Sequence, residues 1–249
     1  MSNLWVFGDS FTVHSEKNQE ISWTYKLAKK LGVKNYYNHS QFGSSNDFIS
    51  ANLEYYANQI KPDDYIIILV TFKARVWFFE DHPELSNLNA VSDVLIKKYY
   101  GKNTVKAVEY YQKYLESERI CSLRLNWYYG YLQNLERYFP NLLIIPAFDN
   151  GFHVDTNFET LGSLFTIGLD EYESEEVYEE IFVSKWNRFD MKSGHMSPDN
   201  HDILAEKIYN TFTTKVPLDL ENGFKTKFIN LSNYSNYETV DRDHIILQN

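Results

Sequence analysis

Cysteine is nearly absent: Cys121 is the one thiol in 249 residues. A disulfide framework and a zinc site built on cysteine are therefore excluded. Cys121 stands in an apolar, helix-like stretch with Ile120, Leu123, Leu125 and Trp127, where a small buried thiol is expected rather than a reactive one. Basic side chains are also in deficit. Lys and Arg number 24 against 34 Asp and Glu, a formal net charge of -10, which argues against a general phosphate-backbone binder. Nucleic acid is not an expected partner. The longest apolar run, residues 65–72, is far too short to cross a bilayer, and no membrane partner is expected. The first ten residues, MSNLWVFGDS, lack a basic n-region and a long apolar h-region, so a cleaved signal peptide is not expected and a cytoplasmic location is. Glycine (10) and proline (6) are scarce beside Tyr, Asn, Lys, Phe and Ile, a bias of AT-rich genomes that carries no chemistry.

What is present suits a globular enzyme-sized chain. It is 43% hydrophobic and 17% aromatic, enough to bury a sizeable core. Its length fits one large α/β domain with a modest appendage. Residues 4–7 form a short apolar run ending at Gly8, a buried strand followed by a turn. Trp23, Leu27 and Leu31 recur at a spacing of four and stop at Gly32, which predicts a capped helix. A short strand is expected over 33–38, a helix over 45–60 and a turn at Pro62-Asp63-Asp64. Residues 65–71 (YIIILVT) are the strongest strand signal, and their continuous apolar character suits a parallel strand covered on both faces. An insertion is expected at about 80–104, then helices over 105–117 and 119–138, a buried strand over 142–147 and a final helix over 199–212. The acidic run 170–182 reads as a solvated helix face.

Strands alternating with helices predict an open, mostly parallel sheet flanked by helices, a flavodoxin-like three-layer sandwich. Residues 1–217 are expected to form this domain, with 218–249 an irregular or strand-containing extension. Ligands of such folds bind beyond the carboxyl ends of the strands. Gly8-Asp9-Ser10, Gly43, Thr71 and Ala147-Phe148-Asp149 all follow predicted strands or lie in the loops beside them, so one rim is expected to gather them.

Ser10 stands directly after the first strand, where its hydroxyl would meet free backbone N–H groups able to stabilise an oxyanion. The plainer role for Asp9, Ser10 and Thr12 is to turn or cap the chain. A serine needs a base within hydrogen-bond reach to become nucleophilic. Gly194-His195-Met196-Ser197-Pro198-Asp199-Asn200-His201 supplies two histidines before and inside a helix that Ser197 or Asp199 can cap. His195 lies on the loop and is the better placed; His201 falls in the first helical turn, where packing or capping explains it. The seven histidines are scattered, and His195 and His201 are six apart, which does not match i, i+4 ligation. No metal and no cofactor is expected.

Three stretches together resemble the SGNH (GDSL-like) hydrolases. Trp5-Val6-Phe7-Gly8-Asp9-Ser10-Phe11-Thr12 is similar to the family's first block. Residues 38–43, continuing as Ser44-Ser45-Asn46-Asp47, are similar to the second, whose glycine gives an oxyanion-hole N–H. His195 to His201, followed by Ile203-Leu204-Ala205-Glu206, resembles the last block, in which the first histidine is the base. The resemblance spans residues 5 to about 208. It implies Ser10 as nucleophile, His195 as base and Gly43 as an oxyanion donor.

Two departures stand out. The family's third block carries an Asn in a Gly-x-Asn-Asp loop after the third strand; here that strand ends Val70-Thr71-Phe72-Lys73-Ala74-Arg75, with no Asn. Thr71 or Arg75 would donate instead, or Asn46 from the preceding loop. Loss of one oxyanion donor typically costs on the order of a hundredfold in rate. The family also places an Asp three residues before the histidine. Lys192 holds that position and Asp190 lies five before, so Asp190 would orient His195 through a bulged loop, or a backbone carbonyl would take that part. Arg75 and Trp77 are expected to border the same pocket, where an Arg beside aromatic rings suits a carboxylate-bearing or sugar-like ligand, and a structural ion pair is the alternative.

Two functions follow from the resemblance. One is an esterase or deacylase, with an O-acetylated glycan or small ester as substrate. The other is a non-enzymatic binding or assembly module that keeps the fold. Compact chains of this type with such composition are similar to bacteriophage proteins, including virion components, and residues 218–249 would then dock onto a neighbour or a second copy by strand addition.

Overall fold

The structure, a computed structural model, describes residues 2–14, 19–77, 105–106, 108–114, 116–150, 156–171, 176 and 195–227. The expected insertion at 80–104, Asp190, most of the acidic run and residues 228–249 lie outside the described residues. The chain divides into two compact units. The first comprises Met1–Val13, Val33–Ile145 and Asn150–Asn157; the second comprises His14–Gly32, Pro146–Asp149 and Phe158–Asn249.

A four-stranded sheet organises the first unit: β1 (Leu4–Phe7), β2 (Tyr36–Asn38), β3 (Tyr65–Val70) and β4 (Leu142–Pro146), in the order β2-β1-β3-β4. β1 runs parallel to both neighbours, with Leu4 opposite Tyr36 on one side and Tyr65 on the other. This is the order of the flavodoxin-like sheet, and the fold class is the expected α/β one, a mostly parallel sheet with flanking helices. Regular β2 begins at Tyr36, later than Val33, although the backbones already meet before it: Lys34 N–H donates to Ser2 O at 2.8 Å and Leu4 N–H to Asn35 O at 2.9 Å. β3 is buried from Ile66 through Val70, as its unbroken apolar run requires.

Helix α2 (Asn46–Tyr56) starts where Ser45 Oγ accepts the Phe48 N–H, and a 3-10 turn at Ala57–Gln59 tightens its end. Residues 105–106 and 108–114 are helical. Helix α3 (Glu118–Glu136) starts in the same way, with Ser117 Oγ accepting the Ile120 N–H. Ile49 and Leu53 of α2 and Leu125, Tyr128, Tyr129 and Leu132 of α3 pack with Trp5, Phe7, Ile66, Ile68, Val70, Leu142 and Ile144 in one cluster. These strand residues alternate, so both helices cover one face of the sheet. Burial pushes the Cys121 thiol pKa up, which fits the inert thiol expected.

Asp64, the end of the predicted turn, fastens the starts of β1 and β3 together. Its fully buried carboxylate accepts from Asn3 N–H at 2.8 Å, Trp5 Nε1 at 2.9 Å and Lys61 N–H at 3.1 Å. Burial works to raise its pKa, but these donors prevail and hold it below the usual carboxylate range.

The second unit holds α1 (Trp23–Leu31), β5 (Thr160–Leu161), α4 (Leu164–Asp170), α5 (Pro198–Thr214) and β6 (Leu218–Asp219). α1 ends at Gly32, the expected cap. It lies along α5, where Lys26 meets Asp202 at 2.7 Å and Lys30 meets Glu206 at 2.6 Å. β5 and β6 pair in parallel, and Leu218 and Leu220 are buried. The chain just past residue 217 is therefore structured within this unit. β5 and α4 are too short to leave a periodic signature in the sequence.

Candidate functional site

The turn after β1 leaves room for glycine alone at position 8. A Cβ there would lie 2.5 Å from Thr12 Oγ1 and 2.8 Å from Leu69 Cγ. With that room, the chain folds back at once. Asp9 O accepts Thr12 N–H at 3.0 Å and the Thr12 hydroxyl at 2.9 Å, while Asp9 Oδ1 accepts Phe11 N–H at 3.1 Å. The last bond is an Asx-turn closed around Ser10. Ser10 itself is buried, at 8% exposure.

The other carboxylate oxygen, Asp9 Oδ2, faces β3. It accepts the Thr71 hydroxyl at 2.7 Å and Arg75 Nη1 at 2.8 Å. The same Nη1 lies 2.6 Å from Thr71 Oγ1 and 3.4 Å from Ser44 O. One guanidinium thus touches the turn after β1, the loop after β2 and the end of β3. A charge-assisted contact of this kind is stronger than a neutral one and fixes direction.

Thr71 is held by its backbone as well. Its N–H donates to Asn46 Oδ1 at 2.9 Å, and its carbonyl accepts from Asn46 Nδ2 and Asn150 Nδ2, each at 3.3 Å. Asn150 Oδ1 in turn accepts Lys73 N–H at 3.2 Å. The Asn46 amide therefore continues the sheet's hydrogen bonding one residue beyond β3.

The loop after β2 is stitched to the Ser10 turn. Gln41 N–H donates to Gly8 O at 3.3 Å, and Asn38 Nδ2 donates to Thr12 O at 2.7 Å. Gly43 takes a φ of +69°, which brings the chain round so that Ser44 N–H and Oγ both reach Gln41 O. Among the described residues no acceptor takes the Gly43 N–H. Five of the residues singled out from the sequence, Ser10, Gly43, Asn46, Thr71 and Arg75, thus belong to adjoining loops of the first unit or to the first residue of α2. The Thr71 hydroxyl, an Asn46 amide hydrogen and Arg75 Nη1 are engaged by protein acceptors.

His195 belongs to the second unit and is 6% exposed. Ser197 caps α5, accepting the Asn200 N–H, with Pro198 in the first turn. His201 has the structural part foreseen for it. Its Nδ1 accepts Trp23 N–H at 3.3 Å, so it serves the start of α1. Burial, then the nearby Lys26 charge, push its pKa down to about 3, and the ring is neutral.

Glu171 departs from the reading of the acidic run as a solvated face. It is fully buried, and its two oxygens accept Ser197 N–H at 2.9 and 2.8 Å, with Ser197 Oγ 2.5 Å away. Asn200 Nδ2 donates to it too. Burial raises its pKa to about 7, against the pull of those donors and with the help of Asp199. A run of charge hides such a residue, because its acids look alike until one is enclosed. Asn150 is not singled out by the sequence, and Asp9 is read there only as a residue that turns or caps the chain; their partners across the sheet distinguish them.

Among the described residues no group of three or more His, Cys, Asp or Glu is placed to hold a metal ion, and no helix is long and apolar enough to cross a membrane.

No protein-family model matches the chain, and no curated protein matches it. Among solved structures, the chain is similar to a protein of Desulfitobacterium hafniense DCB-2 titled a "putative lipolytic protein of G-D-S-L family". The match covers 85% of this chain and 98% of that one, at 15% identity and a TM-score of 0.35. A likeness of that order carries no argument about chemistry, and the fold class rests on the strand order itself.

Proposed function

We propose that the chain is a serine hydrolase of esters, with Ser10 as nucleophile and His195 as base. Ser10 Oγ attacks the acyl carbonyl and its proton passes to His195. The departing alcohol takes that proton, and water then releases the acyl group by the same route in reverse. The Ser10 and Gly43 N–H groups hold the oxyanion, and Asp190 orients the imidazole. An O-acetylated glycan is the substrate class that fits best with the family resemblance.

The observation that carries this reading is the Asp9 carboxylate. It closes an Asx-turn around Ser10 with one oxygen and grips Thr71 and Arg75 with the other. A nucleophile gains from being held in one orientation, and the buried ion pair beneath the turn supplies that restraint.

The test is hydrolysis of p-nitrophenyl acetate and acetylated polysaccharide by the purified chain, beside Ser10→Ala and His195→Ala. Loss of about a thousandfold or more in kcat in both variants supports the reading. Turnover indifferent to both substitutions removes it.

A second reading is a binding or assembly module, virion-borne or self-associating, on the same fold. It is favoured by the Thr71 hydroxyl, which donates to Asp9 where the resembled family has an oxyanion Asn. It predicts no turnover, and changed assembly on size exclusion when the chain is cut after Lys227. Cutting at 217 would remove β6 and confuse the result.

A further inference from the structure

We infer that Glu171 is a positioning residue for His195, acting through the backbone at Ser197; this rests on the reading of His195 as the base. The two lie in the same unit. Ser197 follows His195 by two positions, with only the buried Met196 between them. The Glu171 carboxylate takes the Ser197 N–H on both oxygens and the Ser197 hydroxyl on Oε1. The backbone is thereby pinned two residues beyond the imidazole.

Helix capping does not account for this. Ser197 Oγ already serves the Asn200 N–H, which is the ordinary way to finish a helix start. Glu171 is a second acceptor at the same terminus, and it is fully buried, where a carboxylate is costly to hold. A buried acid retained at such a cost is more readily explained by the geometry it imposes than by stability.

The anchor is itself braced. Asn200 Nδ2 donates to Glu171 and to Lys225 O at 3.0 Å, and its Oδ1 accepts Lys225 N–H at 2.8 Å. Lys227 N–H returns to Asp170 O at 2.6 Å, and Lys225 Nζ pairs with Asp199 at 3.0 Å. The end of α4, the start of α5 and residues 225–227 thus close a ring around the carboxylate. That ring makes Glu171 a fixed point against which the histidine loop is set.

The experiment uses the full chain with Glu171→Leu, which keeps volume without an acceptor, and Glu171→Gln, which turns one acceptor into a donor facing Ser197. Three kinds of measurement are made: kinetics on p-nitrophenyl acetate, giving kcat and KM, thermal unfolding, and the His195 ring resonances across pH. The resonances are assigned by their loss in His195→Ala. Expected for E171L is a kcat loss of about tenfold to a hundredfold with KM little changed. Its His195 titration should be displaced or its resonances doubled, with E171Q between it and the wild type. Kinetics and His195 titrations that superimpose on the wild type in both variants overturn the proposal, and so does lower thermal stability with neither of them moved. A wild type that hydrolyses no ester ends the catalytic reading. The His195 resonances then decide the positioning claim alone: displaced upholds it, unchanged overturns it. Should E171L fail to fold, E171Q is judged by the same titration.

Discussion

The Arg75 guanidinium meets the Asp9 carboxylate at 2.8 Å, with Asp9 wholly buried and Arg75 12% exposed. The pair joins the turn that carries Ser10 to the end of the third strand. Removing one member of such a pair leaves a buried charge without compensation. We predict that Arg75→Met destabilises the chain by about 3–5 kcal/mol. Adding Asp9→Asn should then recover a large part of the loss, because it removes the stranded charge. Urea unfolding of the two single variants and the double variant measures the coupling. A loss under about 1 kcal/mol for Arg75→Met would show that the pair is incidental.

Gly8 is constrained by space. Its absent Cβ would fall against Thr12 Oγ1, which is itself bonded to Asp9 O, and against Leu69 in the core. Gly8→Ala should cost about 1–3 kcal/mol through overpacking. It should also loosen the Thr12 contact that closes the turn. Denaturant midpoints report the first effect, and amide hydrogen exchange at Thr12 and Val13 reports the second.

Two groups of the second unit tilt stability in opposite directions with pH. Glu171, raised from 4.5 to about 7, holds its proton to higher pH in the fold than in the unfolded chain, so its contribution is complete below 4.5 and is lost as pH rises through 7. His201, lowered from 6.5 to about 3, stays neutral in the fold, so its contribution is complete above 6.5 and fades as pH falls toward 3. Each adds a slope of at most about 1.4 kcal/mol per pH unit within its window. Unfolding free energies from pH 3 to 8 should flatten on the acid side in His201→Gln and between pH 4.5 and 7 in Glu171→Gln. Profiles parallel to the wild type would refute the assignment.

Asp64 collects its donors from the backbone of Asn3 and Lys61 and from the Trp5 indole. Asp64→Asn turns one acceptor oxygen into a donor among donors, and should cost about 2–4 kcal/mol at neutral pH. Its carboxyl is held below the usual range, so its contribution is present above that range and lost in acid. The gap between wild type and variant should therefore narrow as pH falls toward 3. A gap that does not change would mean that Asp64 is not ionised in the fold.

Much of the scaffold was legible before any coordinates. The YIIILVT run announces a buried strand, Gly32 ends its helix, and Ser197 is the cap offered for α5. These signals are local, because a strand or a helix declares itself through the spacing of its own apolar residues and its own caps. β5 and α4 went unseen, for two and seven residues are too few to set a period. Of the candidate site, the loops were legible from their places after strands, and the partners within them were not. The sequence leaves Arg75 open to a ligand contact or an ion pair, and only the fold shows its Nη1 on Asp9.

The sequence by itself determined the four strands of the main sheet, the Gly32 and Ser197 caps and the rim on which Ser10, Gly43 and Thr71 would appear, since apolar periodicity and turn chemistry act over a few neighbouring residues. Tertiary structure alone decided what each charge meets: Arg75 with Asp9 across 66 positions, and Glu171, out of a run of similar acids, with the Ser197 N–H and hydroxyl. The physical reason is that a carboxylate looks the same in any stretch of chain, and its role is set only by what excludes water from it.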